Sequence, residues 1–325
     1  MKRSTKSLLL TTGLITAAIT AAATTYCISA NRLMQLALER EEPKFRGKRH
    51  AKLSGSEALT KVMEDRRRFA TELEHIGMET VEIKSRDGLR LVGHYYSGPS
   101  PKRIIVAMHG WRSSWSQDFG LISNFWHQND CAVLYAEQRG QGMSGGDYMG
   151  FGLLERHDCL DWVNWIHQKS GGALPIYLAG ISMGATTVLM TAGSSLPPSV
   201  RGVIADCGFT SPHAIWKHVV EHNLHLPFGL YSNAVKDFYQ KKMQIASDSY
   251  SCKEALENCK VPILFIHGSD DKFVPVEMTY QNYKICKAPK RLLIVPGAEH
   301  GMSYLVDQPG YESAVKSFWS ETAPI

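Results

Sequence analysis

The sequence predicts an α/β protein built on a doubly wound, mostly parallel β-sheet. From residue 103 onward, short apolar runs recur that are continuous rather than alternating, as is typical of parallel strands covered on both faces. Helical patterns separate these runs, which gives the strand, helix, strand repeat of this fold class. The chain has 325 residues, 44% of them hydrophobic and 21% charged, and this ordinary globular composition excludes disordered and fibrous proteins.

Net charge and cysteine usage narrow the range of partners. The formal net charge of +5 is small and dispersed along the chain, so we expect no nucleic-acid partner. The seven cysteines form no CxxC pair and no metal-like spacing. We therefore expect buried thiols and no metal site.

Residues 1–31 predict a segment directed to a membrane. A basic start, Met1–Lys6, precedes 24 residues without charge, Ser7–Ala30. A helix of that length spans roughly 36 Å, against about 30 Å of hydrocarbon in a bilayer. We expect a hydrophobic helix that serves as a single-pass anchor, and a signal peptide cleaved after the alanines at 21–23 is the alternative.

The orientation of this segment is left open by its flanking charges. Basic residues follow it from Arg32 to Arg49, so the positive-inside rule taken literally would keep the rest of the chain in the cytoplasm. We expect the main domain on the outer side of the membrane, with secretion after cleavage and a cytoplasmic-facing domain as the other possibilities.

The rest of the chain divides into a connector and a main domain. Residues 32–77 are expected to form a connector and an amphipathic helix over Glu57–His75, and residues 78–325 the main domain. Alternating stretches on either side of Asp87-Gly88 predict a β-hairpin. Buried strands are predicted at 104–108, 132–135, 176–179, 203–205, 263–266 and 292–295, and helices at 154–168, 183–192 and 278–286.

One interval between predicted strands, about 207–260, is too long for a simple crossover and carries two helical stretches. We expect it to form a small cap over the carboxyl ends of the strands, where such folds bind ligands. Its large apolar side chains serve either packing or a substrate pocket, and Phe209, Trp216 and Phe228 are the substrate-binding candidates among them. The others are Leu224, Leu226, Leu230, Tyr231, Phe238 and Tyr239.

Two segments match the pattern G-x-S-x-G, in which small residues allow a sharp turn that presents a serine nucleophile. Ser182 follows a predicted strand and precedes a predicted helix, which is the context that the turn requires. Ser144 lies between two glycine-rich stretches and lacks that context. We therefore expect Ser182 to be the nucleophile and Ser144 to be structural.

A serine hydroxyl needs a general base, and the base needs an acid that orients it. His300 follows the last predicted strand and is the expected base. The residues alone leave the acid open among Asp271, its neighbour Asp270, and Asp206 at the end of another predicted strand.

Attack on a carbonyl group creates an oxyanion, which backbone N–H groups can stabilise. The residue after the nucleophile, Met183, is one expected donor. The loop after the strand at 104–108 supplies the second, and we expect this to be the N–H of Trp111. His109 in the same loop is a further substrate-binding candidate.

Taken together, these motifs resemble the α/β-hydrolase superfamily over about residues 78–318. The matching pieces are H-G-W at His109, R-G-x-G-x-S from Arg139, G-x-S-M-G around Ser182, H-G-x-x-D-x-x-V-P from His267, and H-G at His300. The resemblance implies an eight-stranded, mostly parallel sheet with helices on both faces and a helical cap. It also implies that no cofactor is needed. It assigns the acid to the D of D-x-x-V-P, which is Asp271.

The finer resemblance is to the serine-aminopeptidase-like and prolyl-oligopeptidase-like group of bacterial membrane-associated hydrolases. In the superfamily an aspartate usually precedes the R-G-x-G-x-S loop, whereas this chain has Glu137 there. We regard this departure as minor.

These observations predict a membrane-associated serine hydrolase that cleaves small carboxylic esters with an apolar acyl or aryl group. An aminopeptidase would need buried carboxylates to bind a substrate ammonium, but the interval 207–260 holds six Lys against five scattered acids. Amide hydrolysis and acyl transfer on the same triad are the alternatives, and a non-catalytic binding module is a more remote one.

Overall fold

The computed structural model describes residues 28–41 and 57–323, and its centre is one eight-stranded sheet with the strand order β1-β2-β4-β3-β5-β6-β7-β8. The first two strands form the predicted hairpin and β2 pairs antiparallel with β4, while all other neighbouring strands are parallel. The strands are β1 (Glu79–Lys84), β2 (Arg90–Tyr96), β3 (Arg103–Met108), β4 (Cys131–Ala136), β5 (Ile176–Ile181), β6 (Val200–Asp206), β7 (Ile263–Gly268) and β8 (Lys290–Val295).

The continuous apolar runs arise because the sheet is covered on both faces. In β3, Ile104, Val106 and Met108 face one apolar core, and Ile105 and Ala107 face the other. Since side chains alternate along a strand, both sets must be apolar for the strand to lie in the middle of the protein. The predicted fold class is confirmed.

Helices form the two outer layers. The helices are α1 (28–38), α2 (Glu57–Glu74), α3 (Trp115–Gln128), α4 (Glu155–Lys169), α5 (Met183–Thr191), α6 (Pro212–His218), α7 (Phe228–Phe238), α8 (Cys252–Asn258), α9 (Val276–Ile285), α10 (Ser303–Val306) and α11 (Gln308–Thr322). Residues of α3 and α11 pack in one core, whereas α4, α5, α9 and the inserted helices pack in the other. The predicted helices over 154–168, 183–192 and 278–286 correspond to α4, α5 and α9.

The inserted segment between β6 and β7 is helical, as predicted. Helix α6 continues into a π-helical turn at Val219–Asn223, and α7 continues into a second one at Tyr239–Met243. The buried side chains of this insertion join the core that contains α5. The insertion therefore packs on the same face of the sheet as α5, and its predicted place as a cap over the carboxyl ends of the strands stays a prediction.

The N-terminal hydrophobic segment predicted for Ser7–Ala30 lies outside the described residues except for its last three positions, which begin α1. In the two ranges that the structure describes, no helix is both long enough and apolar enough to cross a membrane. The short helix α1 instead packs its buried side chains into the core of the main domain.

Candidate active site

Ser182 occupies a sharp turn between β5 and α5. Its backbone angles are φ 56° and ψ −118°, a left-handed conformation that is costly for a residue with a side chain. The flanking glycines make the turn possible, because a Cβ on Gly184 would overlap the carbonyl oxygen of Met108, and one on Gly180 would overlap that of Gly184. The structure thus provides the strand, turn and helix context that the G-x-S-x-G pattern predicted.

We expect Gly184→Ala to destabilise the fold by about 3 kcal/mol or more, because backbone atoms rather than a flexible side chain must move. Gly229→Ala is the matched control, since a Cβ there meets nothing within 4 Å. Urea unfolding measures both. Equal midpoints for the Gly184→Ala variant and the wild type would contradict the close packing described for this turn.

A chain of hydrogen bonds links Ser182, His300 and Asp271. The distance from His300 Nδ1 to Asp271 Oδ2 is 2.6 Å, and that from His300 Nε2 to Ser182 Oγ is 2.9 Å. An ionised carboxylate only accepts, so Nδ1 carries the proton and Nε2 is left to accept the serine hydroxyl. The His300 side chain is 27% exposed, which leaves it accessible to a substrate.

The carboxylate of Asp271 is held by several donors. Its Oδ1 accepts the N–H groups of Phe273 and Val274, each at 2.9 Å. Burial by itself would raise the pKa of Asp271, but hydrogen bonds from His267 and His300 outweigh that effect and hold the pKa well below its usual value. Asp271 therefore stays ionised at neutral pH.

The two other acids that the sequence left open do not bond to His300. Asp270 is exposed, and its carboxylate accepts the hydroxyl of Ser269. Asp206 is buried and accepts the hydroxyl of Ser303 at 2.9 Å, and burial raises its pKa to about 6. The geometry favours Asp271 as the orienting acid.

His267 is a site residue to which the sequence pattern gave no role. It is fully buried, and its Nε2 lies 2.9 Å from the carbonyl oxygen of Val274 and 3.1 Å from Asp271 Oδ2. A carbonyl oxygen cannot donate, so Nε2 carries a proton, and Nδ1 meets the Thr279 hydroxyl at 2.7 Å. The histidine that begins the H-G-x-x-D motif is therefore a second residue that holds Asp271, and that motif is the signal for it in the sequence.

The loop that follows β3 lies directly against the serine. A Cβ on Gly110 would lie 3.4 Å from Ser182 Cβ, and the Gly110 N–H donates to Asp118 Oδ2 at 2.6 Å. Trp111 follows Gly110 at this point. Met183 is the first residue of α5, where backbone N–H groups have no partner within the helix. Met183 thus directly follows Ser182, and Gly110, the residue before Trp111, packs against it, while the donor roles of Met183 and Trp111 stay predictions.

His109 does not face the pocket. It is buried, its Nε2 accepts the N–H of Gln138 at 3.1 Å, and its Nδ1 accordingly donates to the carbonyl oxygen of Gly110 at 2.9 Å. Burial lowers the pKa of His109, which keeps the ring neutral. Both ring nitrogens are in use, so the structure gives His109 a role in holding the loop and none in contacting a substrate.

A row of aromatic rings leads from His300 to the cap. The ring of Phe273 lies 5.1 Å from that of His300, and the ring of Trp111 stacks 6.4 Å from Phe273. Phe151 continues the row at 6.3 Å from Trp111 and reaches Trp216 at 4.6 Å. Phe273 and Trp111 are only partly buried, so the end of the row nearest the catalytic groups offers an apolar surface.

The substrate-binding candidates of the cap lie deeper than this surface. Phe209, Trp216 and Phe228 are each almost fully buried, with Phe209 5.9 Å from Phe151 and Phe228 packed edge-on against His213. Trp216 is the buried end of the aromatic row, Phe209 packs against Phe151 in that row, and Phe228 lies in the same core. A direct contact with substrate remains a prediction for these three.

Ser144 is buried and fully engaged in the structure. Its hydroxyl donates to the carbonyl oxygen of Glu137 at 2.7 Å and accepts the N–H of Val92 at 2.9 Å. The Glu137 carboxylate bonds to His94 at 2.8 Å and accepts the N–H of Met143. The R-G-x-G-x-S segment at residues 139–144, which we name the glycine-rich loop, is therefore a structural element beside the site. Glu137 holds this loop through its bonds to His94 and Met143.

Metal binding has only one candidate set among the described residues. Ligand atoms of Cys207, Asp271 and His300 lie within 4.8 Å of one another. However, Asp271 and His300 bond to each other, and burial raises the pKa of the Cys207 thiol well above its usual value. A protonated thiol is a poor metal ligand, so the set is better explained as part of the hydrogen-bonded triad.

Comparison with known proteins supports a hydrolase. Residues 99–249 match the family model described as serine aminopeptidase, S33. The uncharacterised protein YqkD of Bacillus subtilis is 27% identical over 244 residues, which cover 73% of this chain and 77% of YqkD. The uncharacterised protein YfhR of Escherichia coli K12 is 28% identical over 228 residues, covering 68% of this chain and 73% of YfhR.

Solved structures show the same architecture. An esterase of Pyrococcus furiosus superimposes with a TM-score of 0.61 at 23% identity, covering 76% of this chain and 91% of the esterase. An acylaminoacyl peptidase of Pyrococcus horikoshii gives a TM-score of 0.57 at 17% identity, covering 76% of this chain and 41% of the peptidase. The sheet order, the serine turn and these likenesses show that the chain has the α/β-hydrolase fold, and its residues 99–249 resemble the serine aminopeptidase family.

Proposed function

We propose that the protein hydrolyses small carboxylic esters through an acyl-enzyme on Ser182. The observation that carries the proposal is the continuous hydrogen-bonded chain from Ser182 through His300 to Asp271, on a backbone that presents the serine in a left-handed turn. This arrangement is the one by which a serine hydroxyl becomes a nucleophile at neutral pH.

In the first step, Ser182 Oγ attacks the ester carbonyl carbon while its proton passes to His300 Nε2. The resulting oxyanion accepts the N–H groups of Met183 and Trp111, and Asp271 stabilises the charged imidazole. The carbon–oxygen bond of the ester then breaks, and the leaving alcohol takes the proton from His300.

In the second step, water attacks the acyl-enzyme. His300 takes a proton from the water, the tetrahedral intermediate collapses, and Ser182 recovers the proton as the carboxylic acid leaves. The overall reaction consumes one ester and one water. It requires no electron transfer.

An apolar acyl or aryl group is favoured by the surface next to the triad. Phe273 and Trp111 present partly exposed aromatic rings beside His300, as described above. A peptidase acting on a free amino terminus would need a carboxylate aimed into this space, whereas Asp271 is already paired with His300 and His267. These contacts support ester over aminoacyl substrates.

Turnover of a panel of p-nitrophenyl esters and aminoacyl p-nitroanilides tests the proposal. We expect the esters to be cleaved with a kcat/KM at least a hundredfold above that of the anilides. Preferred cleavage of the anilides would establish the peptidase instead. Ester or amide products formed with an added alcohol or amine, in preference to the free acid, would establish acyl transfer.

We expect Phe273→Ala to lower kcat/KM for a p-nitrophenyl ester of a medium-length acid roughly tenfold, since about 1.4 kcal/mol of apolar contact is lost. The effect on the acetate ester should be smaller, because the shorter chain reaches less of the ring. Tyr280→Ala removes an exposed aromatic side chain on α9 and is the control. Equal losses for both esters would argue that Phe273 does not contact the acyl group.

We also propose that the N-terminal segment predicted within residues 1–31 attaches the protein to a membrane with the main domain outside the cytoplasm. The uncharged stretch Ser7–Ala30 supports this proposal. Mass spectrometry of the mature chain tests it, because a first residue near 24 would indicate a cleaved signal peptide. Protease digestion of intact cells would degrade the main domain, and its protection would place it in the cytoplasm.

A further inference from the structure

The carboxyl end of α1 is capped by the loop between β3 and α3, residues 109–114, which we name the oxyanion loop. The indole N–H of Trp111 donates to the carbonyl oxygen of Ala37 at 2.7 Å. The guanidinium of Arg112 donates to the carbonyl oxygens of Leu36 at 2.9 Å and Glu39 at 2.7 Å. The last carbonyl groups of a helix have no partner within it, so these three bonds tie the helix and the loop to each other.

The same N-terminal segment also braces the glycine-rich loop. The Arg40 guanidinium donates to the carbonyl oxygens of Gly142 at 2.5 Å and Ser144 at 2.6 Å. The N–H of Met149 donates to the carbonyl oxygen of Leu38 at 2.7 Å. Residues 28–41, which we name the N-terminal strap, therefore join the two loops that flank the site.

Apolar packing fixes the strap in place. Its buried side chains are spaced one helical turn apart and belong to the same core as Phe151 and Trp216 of the aromatic row. The buried strap residues are Ala30, Met34, Ala37 and Leu38.

The oxyanion loop needs such support because its backbone is strained. Arg112 has a φ of 49°, which is unfavourable for a residue with a side chain. Asp118 holds the loop on one side of Trp111 through the Gly110 N–H, at 2.6 Å. The strap holds it on the other side, through Trp111 and Arg112.

From these contacts we infer that the N-terminal strap is a positioning element of the active site, which aims the Trp111 N–H at the oxyanion. This inference rests on the proposed function. The indole of Trp111 and the guanidinium of Arg112 are positioning groups, and they act through the backbone between them.

An oxyanion donor acts on the transition state more than on the bound substrate. Release of the strap should therefore lower kcat and leave KM nearly unchanged. Loss of one oxyanion donor costs roughly 10²-fold to 10³-fold in kcat. We expect a misplaced donor to cost about tenfold or more.

Met34→Glu in the full-length chain tests the inference, because a carboxylate at this buried position disfavours docking of α1. Gln35→Glu introduces the same charge on the exposed side of the same helix and is the control. Hydrogen exchange over residues 28–41 reports whether the strap is released. Steady-state kinetics with a p-nitrophenyl ester report kcat and KM.

We expect fast exchange of the strap and a kcat reduced about tenfold or more in Met34→Glu, with wild-type behaviour in Gln35→Glu. A released strap with kcat within twofold of the wild type would overturn the inference. If Met34→Glu does not fold or stays docked, Trp111→Phe decides, since it removes the indole N–H that bonds to Ala37 and keeps an aromatic ring between Phe273 and Phe151. We expect its kcat to fall at least threefold, and an unchanged kcat would overturn the inference. If the proposed function is wrong, the wild type itself does not turn over the ester. That outcome can therefore be told apart from a failure of the inference about the strap.

Discussion

Ser182→Ala is expected to lower kcat for p-nitrophenyl esters by roughly 10⁶-fold, because the acyl-enzyme can no longer form. The turn itself should survive, since alanine differs from serine only by the lost hydroxyl, and Ser182 Oγ bonds to the partly exposed ring of His300. Steady-state kinetics and thermal unfolding of the purified variant measure the two effects. We expect inactivity together with a melting temperature within a few degrees of the wild type.

Ser144→Ala is the matched control, because Ser144 lies in the second segment with the same G-x-S-x-G pattern. Its hydroxyl makes two buried hydrogen bonds, so we expect a loss of about 1–3 kcal/mol of stability. Its kcat should stay within about threefold of the wild type. An active Ser182→Ala variant, or an inactive but folded Ser144→Ala variant, would contradict the assignment of the nucleophile.

The second large effect is expected for Asp271→Asn. An amide cannot hold the Nδ1 proton of His300 as the carboxylate does, nor can it stabilise the charged imidazole, so kcat should fall roughly 10⁴-fold. Asp270→Asn is the control, since that exposed neighbour bonds only to Ser269 among the side chains described. Comparison of kcat for the two variants measures the effect. Similar kcat values for both would mean that the acid lies elsewhere, with Asp206 as the next candidate.

Asp271→Asn should also change the dependence of stability on pH. Because the pKa of Asp271 is lowered in the folded protein, its ionisation stabilises the fold at pH values above its unfolded pKa of about 4. That contribution is lost as the pH falls toward the folded pKa. The wild type should therefore lose more stability than Asp271→Asn on acidification below about pH 4, measured by urea unfolding at several pH values.

Local patterns were sufficient to predict most of the sheet and the serine turn. The buried runs of β3 to β7 are apolar at every position because both faces are covered, and this pattern is visible in the sequence alone. The run in β8 is also apolar, but this edge strand is only partly buried. Ser182 could be told from Ser144 because only Ser182 has a strand before it and a helix after it. The fold class followed from these features, and so did the resemblance to α/β-hydrolases.

Features that depend on contacts between distant segments were not predicted. The aromatic row joins Phe151 and Phe273 through Trp111, and these three residues are far apart in the sequence. The sequence assigns the N-terminal strap to a membrane segment and a connector, because the contacts that the strap makes lie about 75 to 105 residues away in the chain. Helices α3 and α11 were also not predicted. An apolar repeat at helical spacing is present in α3, at Trp115, Phe119 and Ile122.

Two site residues illustrate the limit of motif reasoning. His109 and His267 both lie in motifs of the superfamily, but a motif does not say whether a ring faces the pocket or the core. The structure turns His109 inward to Gln138 and Gly110, and it places His267 behind Asp271. The roles of His109 and His267 are decided by their hydrogen-bond partners. Only the folded chain brings these partners together at the ends of the strands.

Labelling of the wild-type protein with a fluorophosphonate ester, followed by peptide mass mapping, directly tests whether Ser182 is the activated nucleophile. The probe reacts with a serine only when the serine is activated by its base. We expect one adduct, on the peptide that contains Ser182, and no adduct on the peptide that contains Ser144. A folded wild type that takes no label, or takes it at another serine, would contradict the role of Ser182 as the activated nucleophile.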